Sequence, residues 1–226
     1  MIKRFKKWLA KALFHLGRYQ GDRVRKADYN RVDALFEVVY RRLSSAALLD
    51  PENPKFFHYW GSVLYEQASQ YKNGKTAKNL CKAASNKFET ALKFDPENAK
   101  IINDWAAALI GQAKESSEKN AATLLREAQE KINTAEAMVP DIGTYNLACI
   151  YSLRNEGLNC KKYLEKARQI NMLPPVVHLR MDRDLDSVRK ESWFEAFLKQ
   201  CAEIEAQNKA QEPVKKSWWR RLLNRS

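Results

Sequence analysis

One four-position frame recurs along the chain and restricts it to a narrow set of folds. Ala84, Phe88, Ala91 and Pro96 stand with three, two and four residues between them. The same spacing fits Ala128, Ile132, Ala135 and Pro140, and also Val39, Leu43, Ala46 and Pro51; Cys160, Leu164, Ala167 and Met172 follow it more loosely. Steps of four and three keep the first three positions on one face of an α-helix. Small residues flanking a large one let a neighbouring helix approach closely, and proline then stops the helix because it lacks an N–H and clashes with the preceding turn. Two of the stops share a phrase, "DPENP" at 50–54 and "DPENA" at 95–99. Apolar residues elsewhere keep helical spacing, as in Val32, Leu35, Phe36, Val39 and Leu43, and strand-like alternation is absent. The expected fold is all-α.

Each of the last three frames follows a large-small pair: Trp60 and Gly61, Trp105 and Ala106, Leu147 and Ala148. In these positions the chain resembles the tetratricopeptide repeat, with its large-small pair in the first helix and its Ala-x3-Phe spacing and closing proline in the second. The resemblance covers roughly residues 30–175 and implies an α-solenoid of antiparallel helix pairs. From the small residue of the first helix to that of the second the distance is 23 residues (Gly61 to Ala84), 22 (Ala106 to Ala128) and 12 (Ala148 to Cys160). The last is the family spacing, so the first two pairs carry insertions that lengthen each helix by about a turn and a half. Such elongated pairs are similar to those of the plant Tom20 import receptors, whose sequences run comparably around "FETALKFDPENA". A plant Tom20 ends in a membrane-spanning helix, whereas no run here approaches the roughly 20 apolar residues that spanning requires.

After "MLPP" at 172–175 the text becomes "MDRDLDSVRKESWFEAFLKQC", which resembles the segment that closes many bacterial tetratricopeptide arrays. Phe194, Phe197, Leu198 and Cys201 are expected to cover the last helix of the stack, which otherwise exposes a core face. Asp182, Asp184 and Asp186 offer either helix caps and surface charge or a cation site. The expected organisation is a basic amphipathic helix at 1–17, a linker at 18–27 and a helical array at 28–205. Within the array, 28–50 forms the second helix of a first unit, followed by repeats at 54–96, 99–140 and 141–172 and a closing segment at 176–205. A polar linker at 206–216 and an amphipathic Trp/Arg/Leu segment at 217–226 complete the chain.

The net charge of +13 is concentrated. Residues 1–31 hold ten basic and two acidic residues, residues 213–226 hold five basic and none acidic, and residues 32–212 balance 25 against 25. A dedicated nucleic-acid-binding domain more often carries its positive surface on the folded body, so this pattern reads as charged arms on a neutral scaffold.

No phosphate-binding glycine loop, nucleophile elbow or paired metal-ligand motif occurs, and glycine is scarce, at seven residues. Cys81, Cys149, Cys160 and Cys201 lack CxxC spacing and are not clustered with His15, His58 and His178; they read as buried thiols. The expectation is a non-enzymatic adaptor or scaffold without a cofactor. The resemblance places a protein- or peptide-binding groove on the first helices, lined by His58, Ser62 and Tyr65, then Asn103 and Ala107, then Tyr145, Cys149 and Ser152. Packing between repeats is the alternative role for each of these. The basic, Asn-rich clamp with which some relatives hold a C-terminal carboxylate is not evident.

On a helical wheel Ile2, Phe5, Trp8, Leu9, Ala12, Leu13 and Leu16 fall within about 140°. Lys3, Arg4, Lys6, Lys7 and Lys11 lie opposite, and Phe14 is the one apolar residue out of place. Trp218, Trp219, Leu222 and Leu223 repeat the logic beside Arg220 and Arg221. Both ends are expected to lie in an anionic membrane interface, with the protein peripheral on its cytoplasmic face. Three alternatives were weighed. The N-terminal helix could be the first helix of the array, since Leu16 and Gly17 stand at the right distance before Val39. It could be a mitochondrial targeting sequence, giving a mitochondrial location. Or the ends could contact protein or nucleic acid in a soluble scaffold within a larger complex.

Overall fold

The computed structural model describes residues 2–24, 32–71 and 74–223, with the backbone alone described for residues 22–24, 32 and 209–223. Among the described residues every regular element is helical, and successive helices pack in adjacent pairs in the manner of an α-solenoid. The chain forms two compact units, Met1–Gly143 and Thr144–Ser226.

The first unit contains α1 (Ile2–Val24), α2 (Val32–Leu49), α3 (Pro54–Gln70), α4 (Gly74–Leu92), α5 (Ala99–Lys114) and α6 (Glu118–Met138). Each packs on the next described helix, and α3 also meets α5. The repeated frame forms the core: Val39, Leu43 and Ala46 on α2, Ala84, Phe88 and Ala91 on α4, and Ala128, Ile132 and Ala135 on α6 are all fully buried or nearly so. The shared phrase serves as a stop-and-start device. In both copies an asparagine caps the next helix: the Asn53 side chain accepts from the Lys55 N–H at 3.2 Å, and that of Asn98 accepts from the Ile101 N–H at 3.2 Å. Each asparagine also donates back to the aspartate three residues earlier, Asp50 or Asp95, so proline ends one helix and asparagine begins the next.

Trp60 and Trp105, the large members of two pairs, are each covered by the lysine that precedes the large residue of the following frame. Lys87 Nζ lies 3.7 Å from the Trp60 ring centroid and Lys131 Nζ lies 3.4 Å from that of Trp105. Burial lowers the pKa of both lysines, and the negative ring faces offset part of that desolvation.

The second unit contains α7 (Thr144–Leu153), α8 (Gly157–Gln169), α9 (Val176–Met181), a 3₁₀ helix (Arg183–Val188) and α10 (Ser192–Leu223). At 10 and 13 residues, α7 and α8 are short beside the 17 and 19 of α3 and α4 or the 16 and 21 of α5 and α6. Asn155 and Asn171 end α7 and α8 in the left-handed region, with φ of 59° and 57°, a conformation asparagine tolerates better than most residues. Phe194, Phe197, Leu198 and Cys201 on α10 are buried. The Arg168 guanidinium of α8 lies 5.5 Å from the Phe197 ring centroid, and Lys161 of the same helix lies over Trp193.

Two boundaries differ from expectation. The N-terminal helix does not stop at residue 17; it runs to Val24 and packs on α2 as the first half of a helix pair. Likewise α10 continues through 206–216, where a tether was expected, to Leu223. That stretch is rich in Ala, Gln, Glu and Lys, which are good helix formers despite their polarity.

Candidate ligand-binding cleft

Helix α1 has two unlike faces. Ala10, Phe14, Gly17 and Gly21 form its buried stripe. Phe14, the apparent misfit on the wheel, is the anchor of that stripe: its ring centroid lies 4.8 Å from Phe56 and 5.7 Å from Tyr59. Gly17 faces α2, where a Cβ would make ordinary contact with Leu43 at 3.4 Å. Arg42 on α2 donates to the Gln20 side chain at 2.7 Å, and Lys7 reaches Asp50 at 3.8 Å. About 145° round the helix, Ile2, Phe5, Trp8 and Leu16 are 75%, 61%, 64% and 48% exposed. Leu9 and Leu13 are half-buried, and Lys3, Arg4, Lys6, Lys7 and Lys11 are exposed. The expected apolar face is therefore real at its outer edge, while the same helix is seated in the array.

Beside that seat α1, α3 and α5 enclose an open cleft of about 490 Å³. Phe14, Tyr59, Tyr65 and Phe88 give it aromatic walls, and Ala107 leaves room on α5. His58 and Asp104 join across it at 2.7 Å, and Lys100, one turn before Asp104, reaches the same carboxylate oxygen at 3.3 Å. The rim carries two further cations, Lys55 and Arg18. The Arg18 guanidinium lies 5.9 Å from the Phe14 centroid and 5.8 Å from that of Tyr59.

Four of the residues expected to line a groove, His58, Ser62, Tyr65 and Ala107, line this cleft. Asn103 does not; its Oδ1 lies near Gly143, 3.3 Å from where a Cβ would stand. Tyr145, Cys149 and Ser152 serve the packing of the second unit instead of an open surface. Tyr145 donates to Asp182 at 2.6 Å, Cys149 is 2% exposed, and Ser152 is fully buried with its Oγ 2.7 Å from that of Ser187. The 3₁₀ helix packs on α7, in keeping with the packing alternative for these three residues. Sequence reasoning missed Lys100 and Asp104, although each shares a helix face with Asn103 or Ala107. It also missed Phe14 and Arg18, which reach the cleft only through the array-helix alternative for α1.

Asp182 caps the 3₁₀ helix by accepting from the Asp184 N–H at 2.9 Å, as expected of a capping aspartate. The Cys149 thiol and the Asp182 and Asp184 carboxylates place their ligand-type atoms within 4.8 Å of one another. Asp182 also meets His178 Nε2 at 3.5 Å, so its carboxylate is held from several sides within a hydrogen-bonded network. Trp218, Trp219, Arg220, Arg221, Leu222 and Leu223 lie on the helical end of α10, with side chains outside the described residues.

The fold is an array of helix pairs, and its first unit carries an open cleft with aromatic walls. The chain belongs to the family of the plant-specific mitochondrial import receptor subunit TOM20, which it matches over residues 30–173. Helix α1, α9, the 3₁₀ helix and α10 all fall outside the matched region. No curated protein matches the chain. Among the described residues no helix is long and apolar enough to cross a membrane.

Proposed function

We propose that this chain is a non-enzymatic, receptor-type adaptor that binds a polypeptide through its helix pairs while attached peripherally to an anionic membrane, at the mitochondrion as its family suggests. The observation that carries the membrane part is the division of α1. One stripe is seated on α2, and the other leaves Ile2, Phe5 and Trp8 exposed amid Lys3, Arg4, Lys6, Lys7 and Lys11. A monomeric protein gains nothing by holding an isoleucine, a phenylalanine and a tryptophan in water on one short helix. A bilayer interface takes up such a face, and each basic residue near anionic headgroups adds about 1 kcal/mol. Trp218, Trp219, Arg220, Arg221, Leu222 and Leu223 supply a second contact of the same composition, and two weak contacts on one chain reinforce each other.

The seat of α1 on the array also bears on the targeting alternative. A cleaved leader would leave the α2 and α3 surfaces around Leu43 and Phe56 uncovered, which supports a retained α1 over a leader that is removed. Flotation with phosphatidylcholine vesicles, with and without phosphatidylserine, tests the proposal. The full chain is expected to float with the anionic vesicles at low salt, and Phe5→Glu with Trp8→Glu to stay at the bottom. If the chain ignores anionic vesicles, or if the double variant floats as well as the parent, the membrane reading is wrong.

A further inference from the structure

We infer that the cleft between α1, α3 and α5 recognises an acidic peptide segment, one that places a large apolar side chain beside a carboxylate. The inference rests on the adaptor reading above and specifies the partner chemistry of its binding surface. The cleft's volume, about 490 Å³, fits one or two large side chains and is far too small for a folded domain. Its walls ask for an apolar or aromatic group: Phe14, Tyr59, Tyr65 and Phe88 all present ring surface.

The charge at the rim selects what accompanies that group. Among the described residues Asp104 is the one carboxylate lining the cleft, and His58 and Lys100 both engage it. Arg18 and Lys55 therefore leave the opening net positive. Arg18 is also pre-oriented, because its guanidinium rests against Phe14 and Tyr59, and a held guanidinium loses less freedom on gripping a carboxylate. Phe14 and Arg18 belong to α1 and lie outside the region that matches the family. This specificity thus depends on a helix that lies before the matched region. A basic segment would meet repulsion at the same rim, where like charges discriminate against the wrong partner.

Two labelled twelve-residue peptides with Phe and Leu at helical spacing, one with Glu at the remaining positions and one with Lys, test this by fluorescence anisotropy on the full chain. The Glu peptide is expected to bind at least tenfold more tightly than the Lys peptide, and its affinity to fall as salt rises. Arg18→Glu with Lys55→Glu changes two exposed side chains and is expected to abolish the preference. Ala107→Trp, which fills the cleft, is expected to remove binding of both peptides, with circular dichroism confirming that each variant is folded. Preference for the Lys peptide, or a Glu preference that survives both variants, overturns the inference. In the first case peptide binding itself remains and the adaptor reading stands. If neither peptide binds, the inference falls, and the adaptor reading is then judged separately by crosslinking the full chain to imported polypeptides on isolated mitochondria.

Discussion

At Gly61 one methyl group is expected to decide how closely α3 and α4 approach. A Cβ there would stand 2.6 Å from the buried Phe88 ring, so Gly61→Ala forces the ring or the helix to move and costs about 1–3 kcal/mol, read as a lower urea midpoint. Gly157→Ala is the control. Its nearest neighbour would be Val188 at 3.8 Å, and the change is expected to be neutral or slightly stabilising because alanine restricts the unfolded chain and favours helix. Titration offers a second test at this scale. Burial pushes the Cys160 thiol up to about 12 from the ordinary 9.0, and burial likewise raises Tyr40 and Tyr145, where Glu37 and Cys149 are the next contributors. As pH rises past 9 the unfolded chain loses these protons before the folded one, so stability falls with pH, by at most about 1.4 kcal/mol per unit for each group. The half-buried Lys87 and Lys131, whose pKa values are lowered, act in the opposite direction. Comparing the parent with Cys160→Ala between pH 8 and pH 11 isolates the thiol, and the variant is expected to show the shallower loss.

At the scale of elements, α1 separates two roles that composition alone merges. Phe14→Ala removes a ring packed against Phe56 and Tyr59 and is expected to cost about 3–5 kcal/mol. Trp8→Ser alters a side chain that is 64% exposed and is expected to leave the urea midpoint unchanged while weakening vesicle binding. The array's helices were legible because their frame repeats: Ala84, Phe88 and Ala91 announce a buried stripe whatever surrounds them. Helix α1 was only half legible, because Ile2, Phe5 and Trp8 dominate its wheel while its seat is made of Ala10, Gly17 and Gly21, residues with little or no hydrophobic signal. The cleft was legible in His58, Ser62, Tyr65 and Ala107, which share first-helix faces. Arg18 was not, since its place depends on α1 crossing α2, a contact distant in sequence. For Ser152 and Cys149 the packing alternative describes their burial, and the 3₁₀ helix packed on α7 carries no period that would have announced it.

At the scale of the whole molecule the two roles of α1 meet, and their thermodynamic coupling can be measured. If α1 keeps Phe14 seated while Ile2, Phe5 and Trp8 enter the bilayer interface, the membrane binds the folded state and not the unfolded one. Folded-state binding stabilises by an amount that grows with free lipid, about 2.7 kcal/mol at a hundredfold excess over the dissociation constant. Anionic vesicles should then raise the midpoint of thermal unfolding, followed by the near-ultraviolet signal of the buried aromatics, by several degrees for a unit of this size. If α1 instead peels from α2 to lie flat on the lipid, Leu43, Phe56 and Tyr59 lose their cover and the same vesicles should lower the midpoint. The geometry favours the first outcome, because the seated and exposed stripes lie about 145° apart round the helix and both can be occupied at once. Phe14→Ala sharpens the test: with the seat weakened, vesicles should raise the midpoint less than in the parent, while Trp8→Ser should reduce the vesicle effect and leave the midpoint in buffer where it was.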